Sequence, residues 1–491
     1  MQIIVVGSGF GGLAAAIRLQ AQGHRVTILE RRDQPGGRAG VIARDGFTFD
    51  TGPTIITAPH LFDELFALAG KRTSDVVQLT RLDPCYHVRF EDGSVFHYHA
   101  DAARLRDEVA RFSPNDLDGY DRFSRAASRV FRAGMALIDQ PLGSFASMLA
   151  VVPQLAALRA DRSVASLVNR HVRDERLRQV LSFHPLLVGG NPFHTTSIYA
   201  LIHRLELEWG VWFAMGGTGA LVRALVDLFV SLGGQIEFER DVAEIVVRSD
   251  GSRRAEGVRL ADGTVRACDA VVSNADVATT YRQLVSPGAR RHWTDARIER
   301  QHYSMSLFVL YFGTTRRYPD MAHHEILMGP RYRDLLADIF ERGVLADDFS
   351  LYLHRPTATD PSLAPRGCDA WYVLSPVPHL GADIDWTSAG PRYRDAIVRY
   401  LETRYLPGLS SHIVSESWID PRHFRDALGS HLGSGFSLQP LFSQSAWFRP
   451  HNASEDVRNL YFAGAGTHPG AGIPGVLSSG KIVANLIGEA T

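Results

Sequence analysis

A glycine-rich turn near the start of the chain constrains its fold more than any other feature. The segment Gly7-Ser8-Gly9-Phe10-Gly11-Gly12 follows a β-branched apolar run at residues 3–6 and precedes a helical pattern from about Leu13 to Gln22. In a G-x-G-x-x-G turn, the first glycine permits a tight bend, the second lets the backbone approach a pyrophosphate, and the third lets the helix pack closely on the strand. The free N–H groups and the positive dipole of the helix N-terminus then favour phosphate binding.

A carboxylate completes this unit. A second apolar run, Val26 to Leu29, ends at Glu30, about 20 residues beyond the glycines, where an acid can accept hydrogen bonds from ribose hydroxyls. Strand, glycine turn, helix, second strand and acid therefore follow one another in the order of a Rossmann-type unit that binds a dinucleotide. The alternative is a glycine-rich turn that binds no ligand.

The residues after Glu30 resemble a superfamily of flavoproteins, the amine oxidases and carotenoid desaturases. The resemblance lies in Arg31-Arg32-Asp33-Gln34-Pro35-Gly36-Gly37-Arg38 and in Asp50-Thr51-Gly52-Pro53-Thr54. It implies that the dinucleotide is noncovalently bound FAD, with Arg31, Gly37 and Arg38 at the pyrophosphate and Gly52 and Thr54 beside the flavin. A guanidinium fork suits phosphate oxygens well.

The C-terminal region resembles the C-terminal signature of the carotenoid desaturases. A short strand at residues 459–463 is followed by Gly464-Ala465-Gly466-Thr467 and then by His468-Pro469-Gly470-Ala471-Gly472-Ile473-Pro474-Gly475-Val476, which leads into a helix. The resemblance implies that Gly464, Gly466, Ile473, Pro474 and Val476 contact FAD. The helix N-terminus would then face the part of the flavin where negative charge accumulates on reduction. The same region matches G-x-x-x-x-G-K at Gly475–Lys481, but Ile482 stands where a phosphate-binding loop needs Ser or Thr.

Further segments narrow the resemblance to the bacterial and fungal type of phytoene desaturase. They include residues 182–193, 209–213, 273–276 and 444–448, and so they extend over nearly the whole chain. We also expect Val242 and Asn274 among the FAD contacts. The resemblance implies conversion of 15-cis-phytoene, through partly desaturated carotenes, towards all-trans-lycopene, with oxygen or a quinone as the electron acceptor.

Desaturation by a flavin requires no strongly acidic or basic side chain. A flavin accepts a hydride from an allylic carbon, and the neighbouring proton then needs only a weak base, so the protein mainly positions the substrate and excludes water. His468 is the predicted catalytic residue, as a proton relay; a packing role at the helix start is the alternative. No metal site is predicted: His323-His324-Glu325 lacks a second histidine at the zinc-motif offset, which favours a pair in a loop.

The composition points to no nucleic-acid partner. Of the 491 residues, 45% are hydrophobic and 21% are charged, and the formal net charge is −1 without a long basic run, whereas nucleic-acid-binding surfaces are basic. Cys85, Cys268 and Cys368 have no metal-ligand or redox spacing, so a reducing, cytoplasmic setting is expected. Residues 3–6 form a strand without a charged leader before it, so no signal peptide is predicted.

An apolar segment at residues 131–158 predicts contact with a bilayer surface. No apolar stretch reaches the roughly 18 residues of a spanning helix. We therefore expect helices that dip into the interface, with Arg159 and Arg162 near anionic headgroups, peripherally on the inner face of the cell membrane. An ordinary buried helix is the alternative. The apolar residues are Phe131, Met135, Leu137, Ile138, Leu142, Phe145, Met148, Leu149, Val151, Val152, Leu155 and Leu158.

The order of these patterns predicts an α/β fold with three parts. They are a discontinuous Rossmann-type FAD-binding domain (residues 1–80, 217–285 and 450–491), an inserted mixed-sheet substrate domain (81–100 and 286–449) and a helical, membrane-facing domain (101–216). Three alternatives stay open for the function. They are an amine oxidase of the same fold, another carotenoid enzyme (a shorter-step or diapocarotenoid desaturase, a ketolase or an isomerase), and a non-enzyme that resembles the GDP-dissociation inhibitors.

Overall fold

The computed structural model describes residues 1–143, 145–248 and 250–490, without the side chains of residues 145–147 and 150. The strands in this part of the chain are β1 (Gln2–Val6), β2 (Arg25–Leu29), β3 (Val41–Arg44), β4 (Phe47–Asp50), β5 (Leu79–Leu82), β6 (Tyr86–Arg89), β7 (Val95–Tyr98), β8 (Val211–Ala214), β9 (Gln235–Glu237), β10 (Val242–Val247), β11 (Ala255–Leu260), β12 (Val265–Ala267), β13 (Ala270–Ser273), β14 (Ser306–Thr314), β15 (His324–Leu327), β16 (Leu351–His354), β17 (Asp369–Val377), β18 (Ile413–Ile419) and β19 (Leu460–Phe462). The helices are α1 (Phe10–Ala21), α2 (His60–Ala67), α3 (Ala102–Phe112), α4 (Leu117–Met135), α5 (Phe145–Ala157), α6 (Val164–Asn169), α7 (Glu175–Ser182), α8 (Leu201–Trp209), α9 (Thr218–Ser231), α10 (Val277–Thr279), α11 (Asp295–Glu299), α12 (Tyr332–Ala337), α13 (Trp386–Arg404), α14 (Leu409–His412), α15 (Pro421–Asp426) and α16 (Ile473–Ile487).

A parallel sheet joins the start, the middle and the end of the chain. Its strand order is β19-β13-β1-β2-β9, and every neighbouring pair is parallel. The apolar residues of β1 and β2 are buried, as expected of strands covered on both faces. Helices α1 and α16 pack together beside this sheet, and Gly480 makes their approach possible, because a Cβ there would lie 2.7 Å from the backbone nitrogen of Ala15.

A three-stranded antiparallel sheet, β10-β11-β12, lies next in the chain. A turn at Ala261-Asp262-Gly263 leads from β11 into the short strand β12. The run at β13 belongs to the parallel sheet, where it pairs with β1 and β19.

A mixed seven-stranded sheet forms a second layer, in the order β18-β14-β17-β16-β15-β6-β7. All its pairs are antiparallel except β15 with β6. A hairpin turn around Glu91-Asp92-Gly93 joins β6 to β7. Every residue of β14 is buried, so this strand has apolar neighbours on both of its faces.

Helices α3 to α8 fill most of residues 102–209, as the helical pattern predicted. Pro153 lies inside α5, which continues to Ala157. Helix α4 packs on α8, where Phe131 lies edge-on to Trp209 with 5.4 Å between the ring centroids. Among the described residues, no helix is both long and apolar enough to cross a membrane.

Candidate active site

A cavity of about 740 Å³ opens at the carboxyl edge of the parallel sheet and continues to the mixed sheet and the helices. In parallel α/β sheets this edge is where dinucleotides bind. Most of the predicted site residues line the cavity: Gly7, Gly9, Phe10, Gly11, Glu30, Arg31, Gly37, Arg38, Gly52, Thr54, Val242, Asn274, Gly464, His468, Ile473, Pro474 and Val476. The structure therefore brings together segments that lie up to 469 residues apart in the chain, from Gly7 to Val476.

Two predicted site residues, Gly12 and Gly466, are not part of the cavity wall. A Cβ on Gly12 would lie 2.3 Å from the carbonyl oxygen of Gly7, so this glycine lets α1 pack against the turn, as its position in the motif predicts. A Cβ on Gly466 would lie 2.8 Å from a methyl group of Val277 and 3.0 Å from the hydroxyl oxygen of Ser437. Gly466 therefore permits packing behind the cavity.

The glycine turn (residues 7–12) is closed by Asn274. Gly7 has a φ of +95°, which favours glycine. A Cβ on Gly9 would lie 2.7 Å from Oδ1 of Asn274, and one on Gly11 would lie 2.9 Å from its Nδ2. Asn274 in turn donates from Nδ2 to the carbonyl oxygen of Ala463 at 2.6 Å. The motif predicts only that Gly9 lets the backbone approach a pyrophosphate. In the structure, the absence of a Cβ on Gly9 also makes room for the side chain of Asn274.

Glu30 is buried at the end of β2 and its carboxylate is held by backbone and side-chain donors. Ser8 donates to Oε2 from its backbone nitrogen at 2.8 Å and from its hydroxyl at 2.5 Å. The backbone nitrogen of Arg32 donates to Oε1 at 3.0 Å. A carboxylate offers about four acceptor positions, so one remains for a ligand hydroxyl facing the cavity.

The two predicted arginines differ in their surroundings. Arg31 donates from its guanidinium to the carbonyl oxygen of Ala427 at 2.7 Å, so it anchors a distant loop. Arg38 donates to the hydroxyl of Ser430 at 2.7 Å, while its Nε is buried without a partner among the described residues. Burial lowers the pKa of Arg38, and the nearby carboxylate of Asp276 opposes that shift. Arg38 therefore keeps donor capacity for an anion in the cavity.

The C-terminal loop (residues 463–472) is fixed by a buried arginine that sequence reasoning missed. Arg449 donates to the carbonyl oxygens of Ala465 at 3.0 Å and Leu438 at 3.1 Å. The backbone nitrogen of Gly464 donates to the hydroxyl of Ser479 at 2.8 Å. These contacts hold the loop so that α16 begins at Ile473, at the cavity wall. No pattern in the sequence marked Arg449, because its partners are carbonyl groups of other segments.

His468 lies on the wall where the C-terminal loop meets the helical region. Its Nε2 is 3.1 Å from the carbonyl oxygen of Leu137, and its Nδ1 is buried without a partner among the described residues. Burial lowers the pKa of His468 to about 4. The ring is therefore neutral at physiological pH and tied to the chain after α4, while its predicted role as a proton relay stays a prediction.

Much of the remaining cavity wall is apolar. It includes Met135, Leu137, Ile138, Leu142, Met148 and Leu155 from the predicted bilayer segment. Leu149 and Val152 of α5 instead point outward, with 55% and 41% of their surface exposed. The side chain of Phe145 lies outside the described residues. The segment thus carries apolar side chains both inside the cavity and on the surface.

His323 and His324 were expected to form a pair in a loop, and this interpretation is wrong for His324. His324 begins β15 and pairs in register with His354 of β16. One ring nitrogen from each of His323, His324 and His354 lies within 4.8 Å of the others. The local sequence did not reveal this cluster, because His354 is 30 residues away and only strand pairing brings it close.

The G-x-x-x-x-G-K match lies inside α16. Lys481 donates to the carboxylates of Glu64 at 3.1 Å and Asp139 at 2.8 Å. The lysine therefore joins α16 to α2 and to the chain after α4.

Comparison with known proteins gives matches over the whole chain. A family model described as flavin containing amine oxidoreductase matches residues 10–488. The phytoene desaturase (lycopene-forming) of Pseudescherichia vulneris is 53% identical over 99% of both chains, and that of Pantoea ananas is 51% identical over 99% of this chain and 98% of its own. The phytoene desaturase (neurosporene-forming) of Rhodobacter capsulatus is 45% identical over 99% of this chain and 94% of its own.

Solved structures give the same fold at lower identity. The cyclohexylamine oxidase of Brevibacterium oxydans superposes with a TM-score of 0.63 at 17% identity, over 99% of this chain and 98% of that chain. At this identity the likeness concerns the fold alone. It confirms the predicted α/β fold with a Rossmann-type FAD-binding part and an inserted mixed sheet, whereas the membrane-facing role of the helices stays a prediction.

Proposed function

The chain belongs to the family of flavin-containing amine oxidoreductases, and we propose that it is a carotenoid desaturase that converts 15-cis-phytoene towards all-trans-lycopene. Its cofactor is FAD, and the described residues fit that group. The glycine turn offers backbone N–H groups at the start of α1, Glu30 keeps an acceptor for a ribose hydroxyl, and Arg38 has a buried, unpartnered nitrogen at the wall. We propose that the cofactor is held noncovalently by these residues.

One observation carries the substrate proposal: a single cavity joins the glycine turn to a long apolar wall. Phytoene is a hydrocarbon, so it offers no group to hydrogen-bond and can be held only by apolar contact and shape. The apolar wall supplies that contact over side chains from α4, α5 and the mixed sheet. The names of the relatives with 53% and 51% identity point to the same substrate.

FAD supplies the oxidant, because its flavin ring takes a hydride from an allylic carbon. The protein's own part in this step is placement. The C-terminal loop and Thr54 would hold the flavin against the apolar wall, and that wall would align successive carbons of the polyene with the ring. The buried side chains around it exclude water, which protects the cationic carbon from attack.

Two end products are candidates, and they differ in the number of double bonds that the enzyme inserts. A relative 45% identical over nearly the whole chain is named as neurosporene-forming. We propose lycopene as the end product because the two relatives with 53% and 51% identity are named as lycopene-forming. Neurosporene or another partly desaturated carotene is the second candidate.

We further propose that the enzyme takes phytoene from the inner face of the cell membrane. Helix α5 supports this, because Met148 and Leu155 line the cavity while Leu149 and Val152 are exposed on the same helix. Arg159 and Arg162 follow the helix and suit anionic headgroups. Oxygen or a quinone in the bilayer would reoxidise the flavin. We also propose the three-part domain division predicted from the sequence.

Pigment analysis of a phytoene-producing bacterial host that expresses this chain tests the proposal. We expect loss of phytoene and accumulation of lycopene, identified by its absorption spectrum and mass. Accumulation of neurosporene would keep the reaction class and support the second candidate. Unchanged phytoene beside folded, flavin-loaded protein would overturn the proposal. The control is the same host with the Glu30→Gln variant, which should bind less FAD and convert less phytoene.

A further inference from the structure

A tyrosine on the cavity wall connects the cavity to buried histidines. Tyr352 of β16 is half-buried and lines the cavity. Its hydroxyl lies 2.5 Å from the hydroxyl of Thr54 and 2.8 Å from Nδ1 of His324. Thr54 belongs to the segment expected beside the flavin. The phenol therefore faces the cavity and is hydrogen-bonded, on its inner side, to an imidazole.

The histidine cluster (His323, His324 and His354) lies directly behind Tyr352. Nδ1 of His324 is 3.3 Å from Nδ1 of His354, and the ring of His323 is centred 4.5 Å from that of His324. Nδ1 of His323 is 2.7 Å from the hydroxyl of Thr359. The Nε2 atoms of all three rings are buried without a hydrogen-bond partner among the described residues. Leaving such atoms unpaired costs about 1–3 kcal/mol each, so the cluster lowers the stability of the fold.

The surroundings keep these rings neutral. Burial lowers the pKa of all three histidines, to about 3 for His323. The positive charge of Arg355 also lowers the pKa of His323, and Arg355 pairs with Asp369 at 3.2 Å. The ring of Phe213 on β8 covers His323, with 4.7 Å between the centroids. A neutral imidazole has one unprotonated nitrogen, so the cluster has the capacity to take up a proton.

We propose that Tyr352 and His324 receive the proton that the carotene loses in each desaturation, a role that rests on the proposed function. Once the hydride has left, the C–H bond on the neighbouring carbon breaks and its electron pair becomes the π bond of the new double bond. That proton passes to the phenol oxygen of Tyr352 as the phenol proton passes to Nδ1 of His324. His354 and His323 position the receiving ring. The proton returns along the same path when FAD is reoxidised, because two-electron reduction of oxygen or a quinone consumes two protons.

The weak basicity of His324 suits this step. A C–H bond beside a cationic carbon is strongly acidic and needs only a weak base. An imidazole whose protonated form is disfavoured by burial then gives the proton up again readily, whereas a strong base would retain it. Thr54 keeps the phenol oriented towards His324 on one side and the cavity on the other.

Anaerobic stopped-flow bleaching of the FAD-loaded protein by phytoene in lipid vesicles, in H2O and in D2O, tests the proposal. Hydride transfer is reversible until the cation loses its proton, so net bleaching depends on proton loss. Tyr352→Phe should therefore bleach at least tenfold more slowly, with normal FAD content and without the solvent isotope effect expected of the wild type. His324→Gln should behave alike, because an amide can hydrogen-bond but cannot accept the proton. Tyr311→Phe is the matched control: it removes a buried, unpartnered hydroxyl of the same sheet and should bleach within twofold of the wild type.

A second measurement does not depend on turnover. In protein labelled with ¹⁵N-histidine, the His324 signals, assigned with His324→Gln, should show a ring that stays neutral well below the usual titration range of an imidazole, with an unprotonated Nδ1 whose shift changes in Tyr352→Phe. A stoichiometric metal bound by the cluster, detected by elemental analysis, would overturn the proposal, because ligated nitrogens cannot receive a proton. Bleaching of Tyr352→Phe at the wild-type rate would also overturn it. A wild type that phytoene does not bleach would instead contradict the proposed function.

Discussion

One carboxylate oxygen of Glu30 accepts two hydrogen bonds from Ser8, from its backbone nitrogen at 2.8 Å and from its hydroxyl at 2.5 Å. The acid at the end of the second strand and the turn after the first strand are therefore one unit. Since Ser8 lies between Gly7 and Gly9, any ligand held by Glu30 is placed relative to the glycine turn as well.

Glu30→Gln should weaken FAD binding about ten- to hundredfold, as expected for the loss of charge-assisted hydrogen bonds worth about 1.5–3 kcal/mol. The new amide group would also face N–H groups of Ser8 or Arg32 where an acceptor is required. Fluorescence titration of the flavin-free protein with FAD measures the change. Ser8→Ala keeps the charge and removes one donor, so its affinity should fall less than tenfold. Wild-type affinity in Glu30→Gln would contradict the assignment of this residue to FAD.

Gly12→Ala should destabilise the FAD-binding part by about 1–3 kcal/mol, the usual cost of overpacking. The added Cβ would lie 2.3 Å from the carbonyl oxygen of Gly7, so either α1 or the turn must move. Thermal unfolding and the flavin-to-protein ratio measure the effect. Gly288→Ala is the control, because its Cβ would meet no atom within 4 Å and its φ is not in the left-handed region. Equal effects of the two substitutions would refute the packing role of Gly12.

Asp50 should make stability depend on pH between about 4 and 6. Burial raises its pKa from 3.8 to about 6, although the backbone N–H groups of Gly219 and Thr218 oppose the shift. In this window the folded protein keeps a proton on Asp50 that the unfolded chain has lost, so stability falls as the pH rises through about 6. The difference corresponds to about 3 kcal/mol.

Denaturant unfolding at saturating FAD, at pH 4 and at pH 7, measures this dependence. Asp50→Asn cannot ionise, so its unfolding free energy should fall less than that of the wild type between the two pH values. Asp262→Asn is the control: the pKa of the exposed Asp262 is lowered, chiefly by the backbone N–H of Thr264, so it is ionised in both states above pH 4. If the unfolding free energy of Asp50→Asn depends on pH as steeply as that of the wild type, the prediction is wrong.

Leu149→Glu with Val152→Glu should reduce binding to anionic lipid vesicles, by about tenfold for each side chain that enters the bilayer interface. Vesicle co-sedimentation measures the bound fraction. Val230→Glu with Val265→Glu is the control pair, since these valines are similarly exposed, at 50% and 51%, but lie away from α5. If both pairs lose binding equally, the surface of α5 has no special role; if neither does, α5 does not enter the interface.

The fold of the first 30 residues was predictable because its causes are local. Gly7 needs a positive φ, the β-branched runs need to be buried, and Glu30 ends the second strand, all within one βαβ unit. The start of α16 near Ile473 was also predictable, because the helix follows a glycine-rich loop. By contrast, the three residues of β12 carry too little pattern to predict a strand, and α5 contains Pro153 although proline is the poorest helix former.

The sequence by itself determined the Rossmann-type start, the glycine turn with its acid, and the family resemblance, since each depends on residues close together in the chain. Tertiary structure decided where these segments meet. Asn274 closes the glycine turn from 267 residues away, Arg449 holds the C-terminal loop through carbonyl groups, and the pairing of β15 with β16 places His354 beside His324 behind Tyr352. Such contacts depend on strand pairing and packing between distant parts of the chain. They cannot be inferred from the spacing of residues in the sequence.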